Sequence, residues 1–230
     1  MSAEALRLPV ALPSGSVEVS ADWEPAPTPR AVMAIAPGAG AGHRQPFLVG
    51  FADALRVAGV STLRFTFPYQ EAGRRMPGPA AHAVATWAAA ADALALRAPG
   101  LPPFAAGKSY GGRMASMAAA DSAITPAGLV YLGYPLHPPG RPDKPRVEHL
   151  PKISAPQLFV SGTRDPFVDP HEQLTAAVDG CVDAELRWVE GGGHSFEVAG
   201  RRRPAAQIAA DLVPTIVEWV LAQARAADEF

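Results

Sequence analysis

Short apolar runs and longer Ala- and Leu-rich runs alternate along this chain, and the alternation predicts its elements. The short runs at 31–36, 60–65, 128–132, 157–160 and 185–189 read as strands; those at 31–36, 128–132 and 157–160 are nearly continuous in apolar residues, as in strands covered on both faces. The longer runs at about 46–58, 80–96 and 205–225 read as helices. Two earlier strand-like runs, 6–12 and 17–21, flank Pro13-Ser14-Gly15-Ser16 and read as an opening hairpin. A further short run, 103–106, precedes a Gly-rich turn and an Ala- and Met-rich helix at 113–120. Strand-helix alternation of this kind predicts an α/β fold with a mostly parallel sheet and helices on both faces. No repeat or long linker interrupts it, so residues 1–230 read as one domain.

The chemistry gathers on loops at the carboxyl ends of those strands, where open α/β sheets bind ligands. Gly107-Lys108-Ser109-Tyr110-Gly111 is a G-x-S-x-G pentapeptide between a strand and a helix, the context of a nucleophile elbow. Its glycines suit a turn too tight for side chains, with the serine hydroxyl held out at the tip. Two other readings fail on single residues. A phosphate-binding loop ending at Gly107-Lys108-Ser109 needs glycine where Pro102 stands. A dinucleotide fingerprint at Gly38-Ala39-Gly40-Ala41-Gly42 would put its third glycine on His43.

A serine nucleophile needs a base, and the base needs an orienting acid. His194 follows Gly191-Gly192-Gly193, a run whose use is to bring an imidazole close to another loop. Asp165 lies just after the run at 157–160 and 29 residues before His194, room for a helix at about 170–178 and one strand. Asp169, four residues further on, competes for the same role. Backbone donors for a developing oxyanion are expected from the N–H of Tyr110 and from the loop Pro37-Gly38-Ala39-Gly40-Ala41-Gly42, with Ala39 the first choice and Gly40 the alternative.

Those motifs, with Phe67-Pro68-Tyr69-Gln70-Glu71-Ala72-Gly73-Arg74-Arg75, Gly133-Tyr134-Pro135-Leu136-His137 and Gly162-Thr163-Arg164-Asp165-Pro166-Phe167, resemble the small α/β-hydrolase family related to dienelactone hydrolase. The branch it most resembles holds the testis-expressed hydrolase-like proteins and the hydrolase-like domain of a chromatin-complex subunit. The likeness runs from about residue 30 to 222 and implies an α/β-hydrolase fold with a Ser109-His194-Asp165 triad. Family members commonly carry histidine where this chain has Pro37, a change that bears on the shape of the oxyanion loop more than on its backbone donors.

Many hydrolases insert a helical lid before the acid strand. Here residues 134–156 are few and rich in proline, so an open site without a large lid domain is expected. Gly40, Arg74, Arg75, Tyr134 and His137 are possible pocket residues. The two arginines could hold an anionic substrate group or tie down their own loop; Arg201-Arg202-Arg203 reads as a solvated helix start. Net charge is −2 with 48% hydrophobic residues, which points away from nucleic acid and from a membrane surface. No run was expected to reach the ~20 apolar residues of a bilayer span, and residues 1–9 lack the pattern of a secretory leader. One cysteine, Cys181, rules out an internal disulfide and fits a reducing, cytoplasmic setting. The expected activity is therefore that of a serine hydrolase acting on a small-molecule ester or thioester, with no metal or organic cofactor required. A non-catalytic hydrolase-like interaction module, or a peptidase or acyltransferase on the same triad, is the alternative; the oligomeric state is not readable.

Overall fold

The computed structural model describes residues 3–227, so Met1 and Ser2 of the N-terminal reading lie outside the described residues. Its centre is an eight-stranded sheet in the order β1-β2-β4-β3-β5-β6-β7-β8. The strands are β1 (Glu4–Leu12), β2 (Gly15–Glu24), β3 (Ala31–Ala36), β4 (Val60–Phe65), β5 (Pro103–Lys108), β6 (Gly128–Leu132), β7 (Gln157–Gly162) and β8 (Ala184–Val189). β1 pairs antiparallel with β2, and β2 antiparallel with β4; from β4 onward all neighbours are parallel. Helices α1 (Pro46–Val57), α2 (Pro68–Glu71), α3 (Ala80–Arg97), α4 (Tyr110–Ala120), α5 (His171–Asp179) and α6 (Ala205–Ala227) complete it. This is the α/β-hydrolase fold, with the antiparallel start and without a lid.

Strand pleat sorts the core into two layers. Successive side chains point to opposite faces. Met33, Ile35, Phe104, Ala106, Val130, Leu132, Leu158 and Val160 thus pack under α1 and α6. Their neighbours Val32, Ala34, Ala105, Leu129, Tyr131 and Phe159 pack under α3, α4 and α5. Because both faces are covered, β3, β4, β6 and β7 are buried along their whole length. Between β6 and β7 the chain forms loops and one 3₁₀ turn, Leu150–Lys152. That segment is pinned: Tyr134 Oη donates to the Arg146 carbonyl at 3.0 Å and the Arg146 N–H to the Leu136 carbonyl at 2.8 Å.

Two expectations need correction. Residues Ala205–Ala226 of α6 do have the length and mean hydropathy, 1.4, of a bilayer span. In the fold one face of that helix is used internally, with Ala209, Leu212, Val213, Ile216 and Val220 buried among the α1 and sheet residues. The elbow helix, in turn, begins at Tyr110 and not at Arg113. Gly111 and Gly112 argue against helix by propensity, yet tertiary contact demands them. A Cβ on Gly111 would lie 2.6 Å from the Pro37 carbonyl oxygen, and one on Gly112 2.7 Å from that of Gly107.

Candidate active site

β5 ends at Lys108 and α4 begins at Tyr110, leaving Ser109 alone to turn the chain. It does so at φ 50° and ψ −115°, a conformation that a residue with a side chain adopts only under constraint. The constraint is visible on both sides. The Ser109 N–H donates to the Leu132 carbonyl of β6 at 2.9 Å, and a Cβ on Gly107 would collide with the Gly112 nitrogen at 2.1 Å. Helix and strand therefore sit closer than any other residue would permit, and the hydroxyl stands at the tip.

The loops after β7 and β8 meet that tip. Ser109 Oγ lies 2.8 Å from His194 Nε2, and His194 Nδ1 lies 2.7 Å from Asp165 Oδ2. Asp165 is buried, and its other oxygen accepts the Phe167 N–H at 2.9 Å. The Phe167 ring lies against the imidazole with centroids 4.2 Å apart. Close approach of the two loops depends on Gly162 at the end of β7, where a Cβ would sit 2.1 Å from the Gly192 carbonyl oxygen. The Arg164 N–H seals the contact by donating to that same carbonyl at 2.8 Å. Asp169, the competing acid, is exposed, and the structure gives it no bond to His194.

The loop after β3 passes on the other side of the elbow; a Cβ on Gly38 would be 3.7 Å from Ser109 Cβ. Gly40 is engaged, its N–H donating to Tyr69 Oη at 3.0 Å. Among the described residues the Ala39 N–H has no acceptor, and the Tyr110 N–H, at the first position of α4, has no carbonyl a turn earlier to reach. Tyr69 and Tyr110 meet edge to face at 6.3 Å, and both are packed by Phe67. Burial pushes the Tyr110 phenol up to about 12, so it stays protonated.

The remaining sequence candidates divide. Arg74 and Arg75 are exposed, and among the described residues neither makes an ion pair, so neither arginine ties its loop down by a salt bridge; Glu71, a few residues earlier, does pair with Arg7 at 3.4 Å. That loop does border the oxyanion side: a Cβ on Gly40 would be 3.4 Å from the Arg75 carbonyl oxygen. Tyr134 and His137 are instead fully buried, which corrects their placement on a pocket wall. Tyr134 packs on Tyr131 and Phe159, and His137 Nδ1 faces the Pro138 carbonyl at 2.9 Å. Cys181 is half-buried with its thiol directed to the Ala177 carbonyl, and burial pushes it above the ordinary thiol range. Arg164, Arg201, Arg202 and Arg203 border a surface cavity of about 740 Å³ that Gly193 and Glu197 also line, without Ser109.

Sequence reasoning passed over three groups at this site. Tyr69 bonds the Gly40 N–H of the loop after β3, Phe167 bonds Asp165 and packs on His194, and Lys108, 6% exposed, reaches the His194 carbonyl with Nζ at 2.7 Å. Tyr69 and Phe167 stood inside motifs already singled out. Lys108 could have been found from the parity of β5, as developed below.

A hydroxyl bonded to an imidazole that is itself bonded to a buried carboxylate can pass a proton from oxygen to nitrogen while the carboxylate stabilises the resulting imidazolium. Backbone N–H groups without an acceptor, such as those of Tyr110 and Ala39, are the kind of donor that can meet negative charge on an oxygen. An elbow that joins these parts at the carboxyl edge of a mostly parallel sheet defines the α/β-hydrolase class. The chain belongs to the alpha/beta hydrolase domain family, whose sequence model matches residues 29–220.

Solved structures agree on the fold. A dienelactone hydrolase from Anabaena variabilis is similar at 22% identity, TM-score 0.73, over 96% of this chain and 99% of that one. An α/β serine hydrolase without lid from Xanthomonas campestris is similar at 21% identity, TM-score 0.67, covering 95% and 96%. An α/β serine hydrolase homologue from Coxiella burnetii is similar at 20% identity, TM-score 0.69, covering 93% and 96%. Family and fold together support a hydrolase.

Proposed function

We propose that the protein is a serine hydrolase that cleaves a carboxylic ester or thioester through an acyl-enzyme, carried by a single domain. The observation that carries this reading is the unbroken chain Ser109 Oγ, His194 Nε2, His194 Nδ1, Asp165 Oδ2, with steps of 2.8 and 2.7 Å between side chains. Ser109 Oγ attacks the carbonyl carbon as its proton moves to His194 Nε2. Asp165 holds the ring by Nδ1 and balances the imidazolium. The carbonyl oxygen takes the negative charge, facing the N–H groups of Tyr110 and Ala39, with Gly40 excluded from that part by its bond to Tyr69. Collapse expels the alcohol or thiol, which takes the proton from Nε2. Water, deprotonated by the same nitrogen, then hydrolyses the acyl-Ser109 ester and frees the acid.

The relatives named as serine hydrolases and dienelactone hydrolase are consistent with this class of reaction. A scaffold without chemistry has no use for the strained serine, the oriented imidazole and the buried acid together, which weighs against a purely binding module. A small-molecule substrate and a cytoplasmic setting belong to the same proposal, the latter on the lone cysteine. The test is labelling with a serine-directed fluorophosphonate. Wild type should be labelled and Ser109→Ala should not; equal labelling of both proteins removes Ser109 as nucleophile.

A further inference from the structure

Pleat parity decides where the residue before the nucleophile goes. Along β5, Phe104 and Ala106 face the layer under α1 and α6, and Ala105 faces the other. Lys108 shares the parity of Phe104 and Ala106, and is accordingly directed into an apolar layer, where it is 6% exposed. An ammonium there is costly unless its charge and its N–H groups find partners. Nζ donates to the His194 carbonyl at 2.7 Å and lies 5.9 Å from the ring centres of Phe47 and of Phe196, in cation–π range of both. Those two rings stack on each other at 6.0 Å.

Phe196 bears the mark of constraint. It holds φ 64°, which a bulky residue adopts at a cost, in a turn closed by its N–H on the Gly193 carbonyl at 3.0 Å. The Gly193 N–H in turn donates to the Glu197 carbonyl at 2.9 Å. This strained turn contains His194 and ends with an aromatic ring beside the ammonium.

We propose that Lys108 is a positioning residue of the triad: its ammonium ties the His194 loop to the strand that carries Ser109, so one side chain sets base and nucleophile in register. The inference rests on the serine-hydrolase reading above. Charge matters to the tie as well as reach. The groups facing the ammonium are Asp165 from the loop after β7, His194 and Glu197 from the loop after β8, and the ring of Phe47 from α1. Burial pulls the Lys108 ammonium down to about 8, against the opposing pull of Asp165 and Glu197. Below that pH the charge is present and strengthens the bond to the His194 carbonyl. As pH rises through about 8 the charge is lost and the tie weakens.

The experiment compares kcat and KM of wild type, Lys108→Met, Lys108→Arg and Ser109→Ala on one ester across pH, together with the downfield NMR signal of the His194 Nδ1 proton. Lys108→Met should lower kcat roughly 10- to 100-fold, with KM moved by less than about threefold. It should remove the fall in kcat above about pH 8 and broaden or erase the Nδ1 signal. Lys108→Arg, which keeps the charge at all these pH values, should recover most of kcat and hold it above pH 8. A Lys108→Met protein with wild-type kcat, pH profile and Nδ1 signal but a lower Tm overturns the inference, because the lysine is then only a plug in the core. Should Lys108→Met fail to fold, the arginine variant decides: persistence of the alkaline fall in it also overturns the inference. If Ser109→Ala keeps its turnover, the nucleophile reading is what fails, and the Nδ1 signal still decides for Lys108.

Discussion

Two histidines in this molecule each stand between a hydroxyl and an aspartate, and their surroundings set the two apart. His194 has Ser109 Oγ at 2.8 Å and Asp165 Oδ2 at 2.7 Å. His43 has Thr66 Oγ1 at 2.5 Å and Asp22 Oδ2 at 3.4 Å. The residue types match, yet the surroundings differ in two respects. Ser109 is raised on a strained turn at the sheet edge beside an imidazole that is 21% exposed, whereas Thr66 and His43 are both buried. Asp165 has no arginine partner among the described residues, whereas Asp22 accepts two bonds from Arg44 at 2.8 and 2.7 Å and lies 3.6 Å from Arg64. A carboxylate already neutralised by guanidinium groups has little negative potential left to stabilise an imidazolium. The Arg44 bonds hold the Asp22 carboxyl below the usual carboxylate range, and burial, with two arginines near, holds His43 below the usual imidazole value. The geometry of the first cluster suits proton transfer; the second braces the loop that follows β3, with the Arg64 guanidinium also bonding the His43 carbonyl at 2.8 Å.

The largest contrast should appear on removing each hydroxyl. Ser109→Ala is expected to lower ester turnover by roughly 10³- to 10⁶-fold with the fold intact. Thr66→Val should leave turnover within about tenfold and cost ~1–3 kcal/mol of stability for the polar groups left unpaired. Comparable losses of turnover in the two variants would dissolve the distinction.

Next come the acids. Asp165→Asn should lose about 10⁴-fold in kcat, as expected when an orienting acid no longer fixes the tautomer. Asp169→Asn, altering an exposed side chain, should lose less than about threefold. A reversed order would make Asp169 the triad acid and displace the whole site description by one turn of chain.

A third test addresses stability against pH. Because folding holds His43 below its ordinary value of about 6.5, the unfolded chain binds this proton more readily than the folded protein does. Its contribution is complete above about pH 6.5 and is lost as pH falls through and below that value. Asp22, also lowered, adds a second loss only at pH below about 4. His43→Gln should flatten the first segment of a Tm-versus-pH curve and leave the second. An unchanged curve between about pH 7 and 5 would mean that His43 is not the group that titrates.

The arginines divide along the same line and predict the smallest effect. Arg44 and Arg64 are committed to carboxylates, while Arg74 and Arg75 are exposed and uncommitted. If they read an anionic substrate, Arg74→Ala or Arg75→Ala should raise KM for an anionic ester by about 0.5–1 kcal/mol, two- to fivefold, and leave a neutral ester alone. Equal changes on both esters with a lower Tm would assign them to the scaffold.

That Ser109, Asp165 and His194 come together was legible because each follows a short apolar run and stands beside a glycine signal, features that survive in one dimension. Buried charge was less legible. Asp22, Arg64 and Lys108 lie inside strands, where only the pleat says which layer a side chain enters; Arg64 in the run 60–65 and Lys108 at the end of β5 carried that signal without its being read. Tyr134 and His137 were misplaced for a different reason. A proline-rich loop fixes local backbone angles but not whether a given side chain turns inward, and here the bonds to Arg146 and Pro138 draw both residues inward. The helix start at Tyr110 was masked by Gly111 and Gly112, whose value lies in contacts with β3 and β5 that no local propensity encodes.

The stretch between β6 and β7 has a kinetic consequence. It is anchored at Tyr134, Leu136 and Arg146 and contains no helix longer than one 3₁₀ turn, so this stretch supplies no hinged cover that would have to swing aside from Ser109. Lipid droplets or micelles, which activate gated lipases by favouring an open form, then have nothing to act on. Progress curves with a short-chain ester should start without a lag, and their rate should vary smoothly, without a jump, as the substrate passes its solubility limit.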